Sequence, residues 1–538
     1  MNKNKEYYDD FFKKFGPDAH LDPARFLKLA SLCKGNVLDI ACGTGHLADF
    51  YNGDYHGIDI SSVAINYAKK LRRKCARFSC IDADSFLPFG FKDYDTVVLA
   101  EFLEHVENDE NIFFAIKKML KSNGRIIVSV PNGDRVPDES HLRTFTVPEL
   151  RKKFSPLGLV KFHNWTGFEK RIIMTCDLGQ KSEQSLSLAV IAKNEGLGLE
   201  NAILSCIDYV DNIAISVDEA SDDNTLDIAK RYADFFKTHQ WDNDFAKARN
   251  QLQACVSTDW VLWLDGHEYI GKMPDLSNAL NKPQDGYFVK IHLENNFEFF
   301  FARLIRREVL WEHAVHNNPC VKDAKRIDSL VIIHDRANLQ SKSGAALRDI
   351  QRDKMVTSLF RAEIKKNRKS SRPYFYLAQH ASYCKNLRQA IRFYKKCFKR
   401  SKKQDERWLC WWEIASIYSY KCQYTRALLA FQKADKEMPG RWEIAWSLGL
   451  MWALTGNTDL SLNYFVQALE PQKESYMYSP LKFDEALIFD YIGAGLYSKN
   501  KPDEAKIAWR RSLEIELKKP LAEQDKKRIE IQKRMTAR

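Results

Sequence analysis

The chain has 538 residues, more than one hydrophobic core can organise; at roughly 150 residues per domain this predicts three or four domains. A hydrophobic share of 45% and a charged share of 29% exclude a wholly disordered or fibrous chain. The net charge of +12 favours anionic ligands such as phosphates but is weak ground by itself for nucleic-acid binding.

No apolar run approaches the roughly 20 residues of a membrane span, and the start, MNKNKEYYDDFFKKFG, lacks the apolar stretch of a secretory signal. The twelve cysteines are scattered without a CxxC pair. They read as reduced thiols of a cytoplasmic protein, not as a disulfide or zinc framework. In chain order, β-branched runs alternate with helical patterns from about residue 35 to 175 (NVLDI, YHGIDI, YDTVVLA, GRIIVSV). A polar stretch, GQKSEQS, reads as a linker. A second alternating series follows (LSLAVIAKN, NIAISVD, WVLWLD, GYFVKIHL), and beyond Leu347 only helical pattern remains. The expected order is therefore α/β, α/β, all-α.

In the first segment, NVLDIACGTGHLADF carries a strand ending at Asp39, with Gly43 and Gly45 opening the next turn. Glycine there permits the close backbone approach that a bound nucleoside demands. The next strand ends in Asp59, an acid placed to accept both ribose hydroxyls, and a third brings Asp82 to the same edge. These residues, with DYDTVVLAEFLEHV, LKSNGRIIVSVPN and HLRTFTVPEL, resemble class I S-adenosylmethionine-dependent methyltransferases of the small-molecule and quinone-type branch. The resemblance implies a Rossmann-like domain over residues 1–178 that binds S-adenosyl-L-methionine. The Asp39–Gly45 loop would hold the methionine moiety and Asp59 the ribose. Asp82 with Ala83 would edge the adenine, and Ala100 and Glu101 would flank the sulfonium. Ala41 stands where the family usually has glycine, which is tolerable if its φ stays negative. His105 and His141 are candidate bases for an acceptor hydroxyl, since imidazole titrates near neutrality.

In the second segment, a strand delivers Asn194 and Glu195, another delivers Asp218, and the turn Ser221–Thr225 adds Asp223. WVLWL then ends in Asp265-Gly266-His267-Glu268. Two potential ligands one glycine apart can both face a divalent ion that neutralises a diphosphate leaving group. These residues resemble family 2 glycosyltransferases of the GT-A fold, expected over residues 185–340. By that resemblance Glu195, Asp218 and Asp223 contact the nucleoside of a UDP-sugar or other nucleotide-sugar donor. Asp244, Arg249 and Asn250 line the donor pocket, with Arg249 near phosphate. Asp265 and His267 take the metal-binding Asp-x-Asp position, and RLIRR and EHAVHN supply Arg303 and His316. An Asp-x-His variant is used by polypeptide N-acetylgalactosaminyltransferases, with a further histidine completing the site. Asp265, His267 and one of His316 or His334 are thus expected to hold Mn²⁺, which accepts imidazole more readily than Mg²⁺ does. Glu312 and His313 are the candidate bases from the family layout.

In the third segment the pairs Ala390/Tyr394, Ala427/Phe431, Ser461/Phe465 and Ala505/Trp509 recur, with Gly449 and Gly493 at the small-residue position. The pattern resembles tetratricopeptide repeats, expected within a helical domain over residues 345–538. Such an array supports the transferase, self-associates, or binds a peptide or acceptor. Its basic run, RQAIRFYKKCFKRSKKQDER, reads first as a solvated helix face. The combined reading is a multidomain α/β plus all-α enzyme that glycosylates a glycan or protein acceptor and methylates a related substrate. The alternatives are an interaction scaffold with degenerate catalytic domains, and a phage-type nucleic-acid modification enzyme.

Overall fold

The structure, a computed structural model, describes residues 5–72, 74–82, 93–107, 110–180, 183–293, 298–335, 345–470, 483–519 and 524–537. It divides into two compact units, one carrying two large sheets and the other the C-terminal helices.

The first sheet contains β1 (Val37–Ile40), β2 (Tyr55–Asp59), β3 (Arg77–Cys80), β4 (Tyr94–Ala100), β5 (Leu120–Pro131), β6 (Gly158–Phe162) and β7 (Arg171–Leu178). Its order is β3-β2-β1-β4-β5-β7-β6, with β1 to β5 parallel and β7 antiparallel to both neighbours. Strands buried on both faces read as unbroken apolar runs, and all four residues of β1 are buried. The chain leaves β1 toward β2 and returns on its other side as β4. A cleft therefore opens at the carboxyl ends of β1 and β4, the place where open α/β sheets bind ligands.

The second sheet repeats this logic. It contains β8 (Leu186–Ala192), β9 (Asn212–Asp218), β10 (Phe235–His239), β11 (Trp260–Asp265), β12 (Glu268–Lys272), β13 (Gly286–Leu293), β14 (Glu298–Arg306) and β17 (Ala324–His334). The order is β10-β9-β8-β11-β14-β13-β17-β12, and β8 to β11 are parallel. Here the winding reverses between β8 and β11. A small ribbon of β15 (Trp311–Glu312) and β16 (Asn318–Pro319) stands apart. Two antiparallel registers finish the floor of this cleft: Leu262 opposes Leu304 across β11 and β14, and Glu268 opposes His334 across β12 and β17.

The C-terminal unit stacks antiparallel helix pairs, among them Arg372–Tyr383 with Leu387–Arg400 and Gln404–Tyr420 with Tyr424–Glu437. Ala390, Tyr394, Ala427, Phe431, Ser461, Phe465, Ala505 and Trp509 are all buried, so one repeated register serves every pair. A methyl added to Gly449 would lie 2.7 Å from the Phe465 ring, and one on Gly493 2.4 Å from the Trp509 indole. Those glycines are what let the paired helices approach across an aromatic side chain. No described helix is long and apolar enough to cross a membrane.

Candidate functional site

At the first cleft, Asp39 stands one residue before the end of β1, fully desolvated, and burial pushes its carboxyl up to about 7 although the Tyr55 hydroxyl donates to it at 2.5 Å. Its other oxygen is buried without a hydrogen-bond partner. Asp59 ends β2 with one oxygen accepting from the Gly43 N–H and the other from the Ser61 N–H, both at 2.8 Å. Burial lifts it to about 6 against those two bonds. Gly43 and Gly45 take φ of +55° and +75°, and a methyl on Gly45 would sit 2.5 Å from the Phe78 ring. The loop between β1 and β2 is therefore closed by backbone-to-acid bonds that glycine makes possible.

Ala41 corrects one expectation. Its φ is +59°, in the left-handed region, so the condition of a negative φ is not met. A Cβ in that conformation costs about 1–2 kcal/mol. Substituting Ala41→Gly is expected to recover about 1 kcal/mol, measured as slower amide exchange in β1; unchanged or faster exchange would refute the strain.

Helix Lys5–Phe15 lies against this cleft. Asp9 accepts from the Ser61 hydroxyl at 2.6 Å and the Val63 N–H at 3.1 Å, and Phe12 reaches to 3.4 Å of a methyl built on Gly43. Burial, then the charges of Asp59 and Glu104, push the Tyr8 phenol up to about 12. Asp82 is exposed beyond β3, and Ala83 lies outside the described residues. Ala100 ends β4, and Glu101 follows at φ +53°. The Glu101 carboxylate accepts from Ser129 at 2.7 Å and Arg171 at 2.9 Å, which turns it inward.

Next to it stands Glu104, 1% exposed, with neither carboxylate oxygen hydrogen-bonded. Burial and the charge of Glu101 raise it well above the carboxylate range. His105 and His141 meet edge to face with ring centroids 5.2 Å apart, and His105 Nδ1 lies 3.1 Å from the Ser140 carbonyl. Glu104, His105 and His141 offer ligand atoms that all lie within 4.8 Å of one another, an arrangement able to hold a cation or to pass a proton.

At the second cleft, Asp265 ends β11 between two buried guanidiniums. Arg249 donates to it at 2.5 Å and Arg303 at 3.1 Å. Burial would raise Asp265, but the two arginines hold it far below the carboxylate range. Arg249 lies with its guanidinium 4.3 Å from the Trp311 ring centre and 5.2 Å from that of Trp263, and burial lowers it to about 10, still charged at neutrality. Arg303 also donates to Glu268 at 2.9 Å, and Glu268 is 1% exposed.

Two imidazoles complete the floor. His267 Nδ1 meets Glu195 at 2.8 Å, and His334 Nδ1 meets Glu268 at 3.2 Å. Their rings stand perpendicular, centroids 4.5 Å apart. Burial works against the His267 imidazolium, but Glu195 and then Asp265 raise it above the usual histidine value. A carboxylate on Nδ1 fixes the ring and leaves Nε2 as the free ligand atom, the usual support of a metal-binding histidine.

The remaining predicted residues sit around this floor. Asp218 ends β9 in an ion pair with Lys193 at 2.7 Å. Asp223 accepts from Gly196 N–H at 3.0 Å and Thr225 N–H at 2.9 Å, tying two helix starts together. Asp244 caps helix Phe245–Gln253, and Asn250 grips the backbone of Trp311 through both its amide atoms, at 2.8 and 2.9 Å. Glu312, His313 and His316 are exposed on the loop this grip holds, and the two histidines have φ of +73° and +47°. Among the described residues, neither Asp265, His267 and His316 nor Asp265, His267 and His334 gather their ligand atoms within 4.8 Å.

Residues 33–174 match the family model of a methyltransferase domain, and residues 187–334 match glycosyl transferase family 2. The chain carries a methyltransferase domain and a family 2 glycosyltransferase domain. Its first part is 27% identical over 164 residues to the ubiquinone biosynthesis O-methyltransferase of Neisseria meningitidis serogroup A, covering 29% of this chain and 65% of that enzyme. Its second is 23% identical over 158 residues to the SPbeta prophage-derived glycosyltransferase SunS of Bacillus subtilis, covering 29% of this chain and 34% of that one. A TPR repeat-containing protein of Synechococcus elongatus is 32% identical over 101 residues, covering 18% of this chain and 25% of that protein.

In the glycosyltransferase half, sequence reasoning missed Glu268, although it directly follows the Asp-x-His signature. In the methyltransferase half it missed Glu104, which sits three residues after Glu101 and next to His105. Both are buried acids among charged partners, and that adjacency to a named site residue was the available signal.

Proposed function

We propose that the chain is a bifunctional transferase. One half moves a sugar from a nucleotide-sugar donor such as a UDP-sugar to a glycan or protein acceptor. The other moves a methyl group from S-adenosyl-L-methionine to a related substrate, in the cytoplasm. The working segments are residues 1–178, 185–340 and 345–538, the last an array of TPR-like pairs that supports the catalytic halves, pairs with a second copy or holds a peptide acceptor. The observation that carries the reading is the pair of glutamate-backed imidazoles beside Asp265 at the winding reversal of the second sheet.

The donor types suit a divalent cation, although among the described residues Asp265, His267 and His334 do not bring their ligand atoms within 4.8 Å of one another, so holding one needs a side-chain rotation. Asp265, His267 and His334 would hold Mn²⁺, which when bound neutralises the diphosphate of the donor. Arg249 and Arg303 add fixed positive charge beside the same carboxylate. Glu312 or His313, on the exposed loop, is the proposed acceptor base, and the Asn250 grip on Trp311 sets that loop's position. In the other half, the free oxygen of Asp39 faces the cationic methionine end, Asp59 the ribose, and His105 takes the acceptor proton.

Two measurements test this. Full-length protein incubated with S-adenosylmethionine, a UDP-sugar panel, Mn²⁺ and a cell extract should yield a product whose mass gains both groups, and EDTA should remove the sugar gain alone. No heat on titrating S-adenosylhomocysteine or UDP, with no mass gain, would favour a scaffold. The second is pH dependence. Asp39 is protonated below about 7, and a cationic ligand needs it ionised. S-adenosylmethionine affinity is therefore expected to rise about tenfold per pH unit up to 7 and then level off. Tyr55→Phe removes a bond that lowers Asp39, so its profile should move to higher pH; a shift the other way would reject the assignment.

A further inference from the structure

The loop that carries His141 is strung between two anchors, one in each catalytic half. At its start, Asn132 is fully buried and donates through Nδ2 to the Tyr232 hydroxyl at 3.1 Å, while its carbonyl accepts from Arg231 at 2.8 Å. Gly133 passes so close that a methyl on it would lie 3.1 Å from the Arg231 guanidinium. Arg231 also reaches Asp134 at 3.1 Å. Tyr232 donates onward to Glu200 at 2.7 Å, and Glu200 pairs with Arg135 at 2.7 Å. Glu200, Arg231 and Tyr232 all belong to the glycosyltransferase half, on helices Gly196–Cys206 and Thr225–Tyr232.

At its far end the same loop closes on the His105 turn. Leu142 N–H donates to the Glu104 carbonyl at 2.8 Å, and Arg143 Nε to that of Leu103 at 3.2 Å. His141 lies between the two anchors, edge to face with His105.

We infer that Glu200, Arg231 and Tyr232 are positioning residues of the methyl-transfer site: the glycosyltransferase half holds the Asn132–Leu142 loop that sets His141 against His105. The inference rests on the methyltransferase reading above. It explains why buried polar groups, costly unless paired, line this seam. The ion pair of Arg151 with Asp234, at 2.8 Å, ties the halves together elsewhere and touches neither loop anchor. It provides the control.

The test uses full-length protein with ¹³C-labelled histidine, followed by NMR and amide exchange. In Arg231→Ala and Glu200→Gln, exchange over residues 133–142 should accelerate at least about tenfold. The His105 and His141 resonances and titrations should shift, while S-adenosylhomocysteine affinity by calorimetry stays within about twofold. Arg231→Lys, which keeps a cation for the Asn132 carbonyl and Asp134, should restore most of the protection. Arg151→Lys should leave the two histidines unmoved. Unaltered exchange and histidine spectra in both anchor variants would overturn the inference. So would the same histidine shift in Arg151→Lys, which would make the seam general glue. If Arg231→Ala also loses S-adenosylhomocysteine, the Arg231→Lys and Glu200→Gln pair decides by the same criteria. A wild type that never binds S-adenosylhomocysteine would instead defeat the methyltransferase reading and leave the loop result standing.

Discussion

Arg303→Met is expected to cost the glycosyltransferase half about 3–5 kcal/mol. Arg303 is 7% exposed and bridges two acids, Asp265 at 3.1 Å and Glu268 at 2.9 Å. Glu268 is the more costly of the two to abandon. It is 1% exposed and would keep only His334 and the Asp265 N–H as partners. Methionine replaces the alkyl packing but not the charge, so the loss measures an uncompensated buried carboxylate. Native-state amide exchange in β11 and β14 reads that half separately from the helical array, which a whole-chain melt does not. Arg303→Lys, a single point charge in place of a fork, should fall between. A cost below about 1 kcal/mol would mean that the acids relax to solvent on losing their partner.

The second large effect concerns Mn²⁺ binding by the protein without donor, followed by the electron paramagnetic resonance of free Mn²⁺. Glu195→Gln weakens the grip on His267 Nδ1, and such supporting carboxylates typically contribute 10- to 100-fold in affinity. Its expected loss is therefore about 10- to 100-fold. His334→Ala removes the proposed third ligand and should lose more, whereas His316→Ala, on the exposed loop, should change little. Reversed behaviour of the two histidines would transfer the third ligand to His316. Equal affinity in all the variants would place any bound manganese elsewhere.

These cases mark what a sequence can carry. Asp39, Asp59, Asp218 and Asp265 were legible because parallel strands are unbroken apolar runs, so the first acid after each run marks a carboxyl end. The repeat register of the helical array was legible too, since alanine and an aromatic recur at fixed offsets. What escaped depends on pairing between distant strands. Glu268 meets His334 only because β12 and β17 run antiparallel in that register, although the two lie 66 positions apart in the chain. The inward turn of Glu101 needs Arg171, contributed by β7. Ala41 escaped for another reason: composition gives the side chain, whereas its dihedral is set by the loop closing on Asp59. The seam between the two transferase halves left no local pattern at all, because Asn132, Glu200 and Arg231 are each ordinary surface-type residues in their own stretch of chain.

The helix Lys5–Phe15 has a practical consequence. A single carboxylate, Asp9, staples it to the start of helix Ser62–Leu71, and its Phe12 lies over the glycine turn below. If the cleft takes a methyl donor as proposed, the helix would stand over the glycine turn that holds it, and loosening the Asp9 staple would widen the way in and out.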